Sequence, residues 1–173
     1  MKFKNIIITP LKKEDIDDIV RMLNNPNMWI YLPFAPAPEE MYRGYFEPMA
    51  EIIANSETPS SMVYILREKG TNKFIGNYGI MGNPMNEGVF EIGYQITEEF
   101  WRKGIGTYIA KLAIEYAFKK MKAHRVEANC YSTNIGSKKV LEKAGLLFEG
   151  DSKGYYKTDE KIISKSNYGL FRG

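Results

Sequence analysis

Two glycines, two cations and a threonine stand together in the stretch Phe100-Trp101-Arg102-Lys103-Gly104-Ile105-Gly106-Thr107. That grouping suits anion binding. The first N–H groups of a helix have no intrahelical partner, and the helix dipole favours a negative charge there by about 0.3–1 kcal/mol. Glycines 104 and 106 lack Cβ atoms, so a phosphate can approach those N–H groups closely, while Arg102 and Lys103 add screened attraction. The plainer alternative is that the glycines only turn the chain and the basic pair is solvated. Two other phosphate motifs fail on spacing. A Walker loop requires a glycine, a lysine and a Ser or Thr where this chain has Ile109, Ala110 and Lys111, and a dinucleotide fingerprint requires a third glycine at Ile109.

The flanking elements must present this loop. Residues 88–96 (GVFEIGYQI) are rich in β-branched and aromatic types and predict a strand. Downstream, Ile105, Tyr108, Ile109, Leu112, Ala113, Tyr116 and Ala117 recur at helical spacing and predict a helix over 104–120. The loop therefore lies between the end of a strand and the start of a helix. Gly93, inside the strand, marks a bulge or a close approach of another backbone or ligand.

The rest of the chain gives an order of elements. Ile6 to Pro10 reads as a first strand, and Ile16, Ile19, Val20 and Leu23 as the apolar stripe of a helix with acids in its opening turns. Residues 28–38 form an aromatic, proline-rich connection too apolar for a disordered linker. A second helix is expected from about Glu39 to Ala54, although Gly44 and Pro48 interrupt it. Residues 62–67 and 74–81 form a hairpin, which the strand ending at Ile96 extends to a meander. After the 104–120 helix come a strand over His124–Cys130, in a strand-helix-strand unit that predicts a parallel pair, and a short helix over Gly136–Ala144 stopped by Gly145. A strand begins at Leu146–Glu149, residues 151–161 read as a charged loop, and Ile162–Phe171 is the last strand.

Composition sets outer bounds. With 173 residues and 44% apolar content, the whole chain, 1–173, is expected to be one domain. A net charge of +3 from 24 basic and 21 acidic residues is a mixed surface, which argues against direct nucleic-acid binding. No run approaches the roughly 20 apolar residues of a membrane span, and the single Cys130 forms no internal disulfide. A soluble, cytoplasmic setting without membrane attachment is the expectation. His124 and Cys130 are each the only residue of their kind, so no metal site is expected, and both read as structural.

The element order, together with residues 91–95 (EIGYQ), 100–107 (FWRKGIGT), 124–128 (HRVEA) and 134–147 (NIGSKKVLEKAGLL), resembles the GNAT N-acetyltransferases, most closely the RimJ/RimL branch that acetylates ribosomal-protein N-termini. The likeness runs from about Ile8 to Glu149. It implies an α+β (mixed α/β) fold: a central twisted, mostly antiparallel sheet with one parallel splayed pair, flanked by about four helices. It also implies acetyl-CoA as co-substrate, without metal, and direct acetyl transfer to a primary amine in a ternary complex. By that resemblance the pyrophosphate falls on Arg102, Lys103, Gly104, Ile105, Gly106 and Thr107, and the pantetheine arm pairs with the backbone of Tyr94, Gln95 and Ile96. Trp101 departs from the broad family pattern but suits the RimJ/RimL branch. The tyrosine that many members place seven residues after the asparagine is Leu141 here, so the branch's serine, Ser137, becomes the candidate acid, with Asn134 contacting the cofactor. Asn134 and Ser137 also suit capping of the short helix.

Glu91 is the candidate base or water-orienting carboxylate, because its strand leads to the carbonyl site. Trp29, Tyr31 and Phe34 are candidates for the acceptor wall. At pH 7, freeing an α-amine of pKa ~8 costs about 1.4 kcal/mol, against about 4.6 kcal/mol for a lysine of pKa ~10.4. A chain without an evident strong base is better matched to an α-amine, such as a ribosomal-protein N-terminus. The competing acceptors are polyamines, amino acids and aminoglycosides, and Glu39, Glu40, Glu47 and Glu51 on the second helix keep a polycation open. A non-catalytic acyl-CoA sensor is the remaining alternative. A monomer and a homodimer are both compatible with the sequence.

Overall fold

The computed structural model describes residues 3–32, 35–57, 60–158 and 161–172. Its strands are β1 (Ile6–Pro10), β2 (Ser61–Glu68), β3 (Phe74–Gly82), β4 (Val89–Ile96), β5 (Arg125–Tyr131), β6 (Leu147–Lys157) and β7 (Ile162–Phe171). They form one seven-stranded sheet in the order β1-β2-β3-β4-β5-β7-β6. Every neighbouring pair is antiparallel except β4 and β5, whose parallel register covers only Val89–Glu91 against Arg125–Glu127. The mixed sheet with a single splayed parallel pair matches the expected architecture.

The helices are α1 (Ile16–Leu23), α2 (Pro26–Trp29), α3 (Glu39–Asn55), α4 (Ile105–Lys119) and α5 (Ile135–Ala144). One apolar core packs α4 and α5 on one face of the sheet, through Ile92 and Ile96 of β4, Val126 and Ala128 of β5 and Ile109 and Ala113 of α4. A second core packs α1 and α3 on the opposite face, through Ile19, Leu23, Phe46, Val63 and Ile65. Asp15 and Arg67 tie that layer to β2 by an ion pair of 2.8 Å, and Arg67 reaches Asp18 at the same distance. No described helix is long and apolar enough to cross a membrane.

Three expectations are corrected. The connection after Leu23 contains the single turn α2, capped by the Asn25 side chain accepting from the Asn27 N–H at 3.0 Å. Helix α3 runs unbroken through Pro48. Pro48 and Gly44 are both exposed, so the carbonyl of Gly44 that loses its partner faces water. The charged stretch expected as a loop continues strand β6 to Lys157. It pairs only with β7, with register shifts between Phe148 and Gly150 and between Ser152 and Tyr156. An edge strand with bulges shows neither alternation nor an apolar run, which is why its sequence reads as a loop.

Candidate functional site

The opening follows from where β4 and β5 part. After Glu91 and Glu127 the two strands share no register, so β4 from Ile92 onward keeps β3 on one side and has no strand on the other. A cleft of about 890 Å³ fills the gap, walled by β4, β5, the loop at 101–104, the first turn of α4 and α5 along most of its length. It brings together Glu91, Tyr94, Gln95, Ile96, Arg102, Gly104, Ile105, Gly106, Thr107, Asn134, Ser137 and Tyr31 from the sequence-derived candidates.

At the wide end, Gly104 is the N-cap of α4 at φ +82°, a left-handed conformation that favours glycine, and Arg102 also has φ +59°. Tyr108 N–H donates to the Gly104 carbonyl, so the N–H groups of Ile105, Gly106 and Thr107 precede the helical ladder. Gly106 answers to packing as well. A Cβ there would stand 3.2 Å from Val140 of α5 and 3.6 Å from Ile96 of β4, so this glycine sets how closely α4 meets α5. Lys139 and Lys143, one helical turn apart on α5, line the same cleft as Arg102. Lys103 does not: its ammonium lies 4.7 Å from the centre of the Phe100 ring, outside the lining. Trp101 Nε1 donates to the Ile96 carbonyl at 2.6 Å, so that carbonyl of the expected pantetheine ladder is already engaged.

At the narrow end the strands alternate. Ile92, Tyr94 and Ile96 point with Ala128 and Cys130 towards α4 and α5, whereas Glu91 and Asn129 lie on the other face. Asn129 Nδ2 donates to Glu91 Oε1 at 2.7 Å, and Tyr156 Oη donates to Asn129 Oδ1 at 3.2 Å. Burial pushes the Glu91 carboxyl above its usual range; Lys165 and the Asn129 hydrogen bond oppose that shift, and Glu127 adds to it. An added Cβ at Gly93 would meet no atom within 4 Å. The fold tolerates a side chain there, and the space it would take is the cleft's.

Ser137 sits in the first turn of α5, where its N–H donates to Asn134 Oδ1 at 2.9 Å, the N-cap bond of that helix. Its hydroxyl lies 2.9 Å from Tyr94 Oη. Burial pushes the Tyr94 phenol well above the ordinary tyrosine range, against the Ser137 hydrogen bond. Cys130 lines the cleft beside Ser137, and burial raises its thiol, which keeps it neutral at ordinary pH. His124 lies outside the lining, with its ring packed against Gly88.

The acceptor candidates divide. Tyr31 lines the cleft edge-on to Trp101, with ring centroids 5.7 Å apart. Trp29 does not line it and donates its indole N–H to the Leu23 carbonyl at 2.8 Å. Phe34 lies outside the described residues. Among the acids of α3, Glu39 and Glu47 surround Arg43 and Glu51 pairs with Lys13 at 2.6 Å; none of the four lines the cleft. Sequence reasoning missed Asn129, Lys139, Lys143, the Tyr94 side chain and the cleft-facing Cys130. The 139/143 spacing on a helix was a readable signal; the rest depend on which strand face opens.

The family model for the acetyltransferase (GNAT) domain matches residues 5–147. The uncharacterized N-acetyltransferase YjdG of Bacillus subtilis (strain 168) is 30% identical over 104 residues, 60% of this chain and 62% of that protein. The match to YjdG thus spans less than two thirds of that relative's length. Among solved structures, the ribosomal-protein-S5-alanine acetyltransferase from Vibrio fischeri superposes with a TM-score of 0.83 at 19% identity, over 99% of this chain and 95% of that one. The spermidine N-acetyltransferase from Vibrio cholerae, in complex with CoA and spermine, superposes with a TM-score of 0.81 at 16% identity, over 96% and 95%. At such identities the likeness to these two structures is one of fold.

Proposed function

The chain belongs to the GNAT acetyltransferase family, and on that premise we propose that it transfers the acetyl group of acetyl-CoA to a primary amine, most favourably a protein N-terminal α-amine. The carrying observation is the parted β4–β5 pair, which opens to a glycine-and-cation helix start at one end and to the carboxylate of Glu91 at the other. The residues present fit the co-substrate: free helical N–H groups of Ile105–Thr107 with Arg102, Lys139 and Lys143 for its phosphates, and the strandless edge of β4 at Tyr94 and Gln95 for its arm. Asn134, at the start of α5, completes that wall.

When bound, acetyl-CoA supplies an activated acetyl group as a thioester. Glu91, held by Asn129, takes the proton that the amine nitrogen loses as it bonds to the acyl carbon. Ser137 Oγ gives its proton to the departing sulfur as the carbon–sulfur bond breaks, and solvent returns the proton from Glu91 to Ser137. The sum is one amide and one thiol. Among the described residues, Glu91 is the only Asp or Glu lining the cleft, and of the acids of α3 Glu39 and Glu47 lie against Arg43 and Glu51 against Lys13. That supports a singly charged acceptor over a polyamine.

A thiol-release assay with acetyl-CoA tests both levels, using N-terminal peptides, polyamines, amino acids and aminoglycosides as acceptors. Peptides with a free α-amine are expected to turn over fastest. Faster turnover of spermidine or of lysine side chains would overturn the acceptor, and tight acetyl-CoA binding without thiol release from any amine would favour a sensor.

A further inference from the structure

We propose that Tyr94 is a positioning residue for Ser137: its phenol donates to Ser137 Oγ, which leaves the serine's own proton for the departing sulfur and steadies the oxygen that gives it up. The inference rests on Ser137 as the proton donor.

Three observations carry it. The two hydroxyls are 2.9 Å apart and both line the cleft. They come from opposite walls, β4 and the first turn of α5, so the contact spans the gap that β5 leaves when it parts from β4. The backbone that carries Ser137 is held independently of Tyr94, because Asn134 Oδ1 accepts its N–H at 2.9 Å.

A pair of hydroxyls at that distance shares one of its two protons, and the direction decides what Ser137 can do. If the serine donated to Tyr94, it would have nothing left for sulfur. A phenol is the stronger donor of the two, which favours Tyr94 Oη–H towards Ser137 Oγ. As Ser137 passes its proton to sulfur, negative charge grows on Oγ, and a hydrogen bond to a charged acceptor is roughly twice as strong as a neutral one. Burial keeps the Tyr94 phenol protonated, so it retains a proton to donate while Ser137 gives up its own, without itself being the net source of the proton. The proton balance is unchanged: the amine loses one to Glu91, the sulfur gains one from Ser137, and Tyr94 keeps its own.

The test is a double-mutant cycle on the full chain, with kcat and the KM for acetyl-CoA measured for Tyr94→Phe, Ser137→Ala and the pair. Tyr94→Phe is expected to lower kcat about tenfold, the size of losing one hydrogen bond to a group gaining charge, with KM within about twofold. In the Ser137→Ala background the same change is expected to alter kcat by less than about twofold. A fluorinated tyrosine at 94 keeps the shape and the donor, and is expected to retain kcat. An equal loss from Tyr94→Phe in both backgrounds, no loss from Tyr94→Phe when Ser137 is intact, or a fluorotyrosine as impaired as phenylalanine would each overturn the proposal. Ser137→Ala with unchanged kcat would remove the Ser137 reading itself, a different failure from an inert Tyr94→Phe beside a damaging Ser137→Ala.

Discussion

Burial raises the proton affinity of Glu91 by more than Lys165 and Asn129 lower it. Its folded-state pKa therefore lies above the ordinary value of 4.5, and the sign of the linkage follows. Below 4.5 the group is protonated in both states and costs nothing; as pH rises past that value and through the folded pKa, the folded state is progressively disfavoured. Glu91→Gln removes that ionisation. The variant is expected to match the parent in urea midpoint at about pH 4 and to exceed it at about pH 8, while losing most of its kcat. Equal midpoints at both pH values, or an undiminished kcat, would contradict the role given to this carboxylate. A stability cost at a buried, cleft-lining carboxylate is the trade expected if Glu91 has the base role proposed for it.

Strand β4 and helix α4 each carry a glycine in the cleft, and the two answer to different constraints. Gly106 is fixed by helix packing, since a Cβ there would already press on Val140 at 3.2 Å. Gly93 is fixed by nothing in the fold, since its Cβ would meet open space. Valine at 106 is expected to destabilise the chain by about 1–3 kcal/mol through overpacking and to weaken acetyl-CoA binding with it. Valine at 93 is expected to leave the melting temperature nearly unchanged while removing thiol release, because its side chain takes cleft space. Thermal unfolding alongside the assay separates the two; a Gly93→Val chain with full activity would show that nothing passes over that strand.

Across the whole molecule, Trp101 joins what the sheet separates. Its ring packs against both apolar cores, and its N–H closes the end of β4 through the Ile96 carbonyl. Trp101→Ala is expected to cost about 3 kcal/mol in urea unfolding and to loosen the cradle that begins at Arg102, raising the KM for acetyl-CoA. A loss under about 1 kcal/mol would mean that the two layers are not coupled there. The sequence alone determined the glycine-and-cation loop between a strand and a helix, because glycines, cations and a helical period are local signals, and for the same reason it determined the order of the strands and of the longer helices, down to the bounds of β1. The charged edge strand β6 escaped, since its pairing is made by β7 and not by its own pattern. The turn of Lys103 onto Phe100, the engagement of the Ile96 carbonyl, the indole of Trp29 turned to Leu23 and the meeting of Tyr94 with Ser137 were decided only by the tertiary structure. Each depends on which side of a strand or helix faces the gap between β4 and β5, and that gap exists only once residues 36 positions apart in the chain, Glu91 and Glu127, end their pairing.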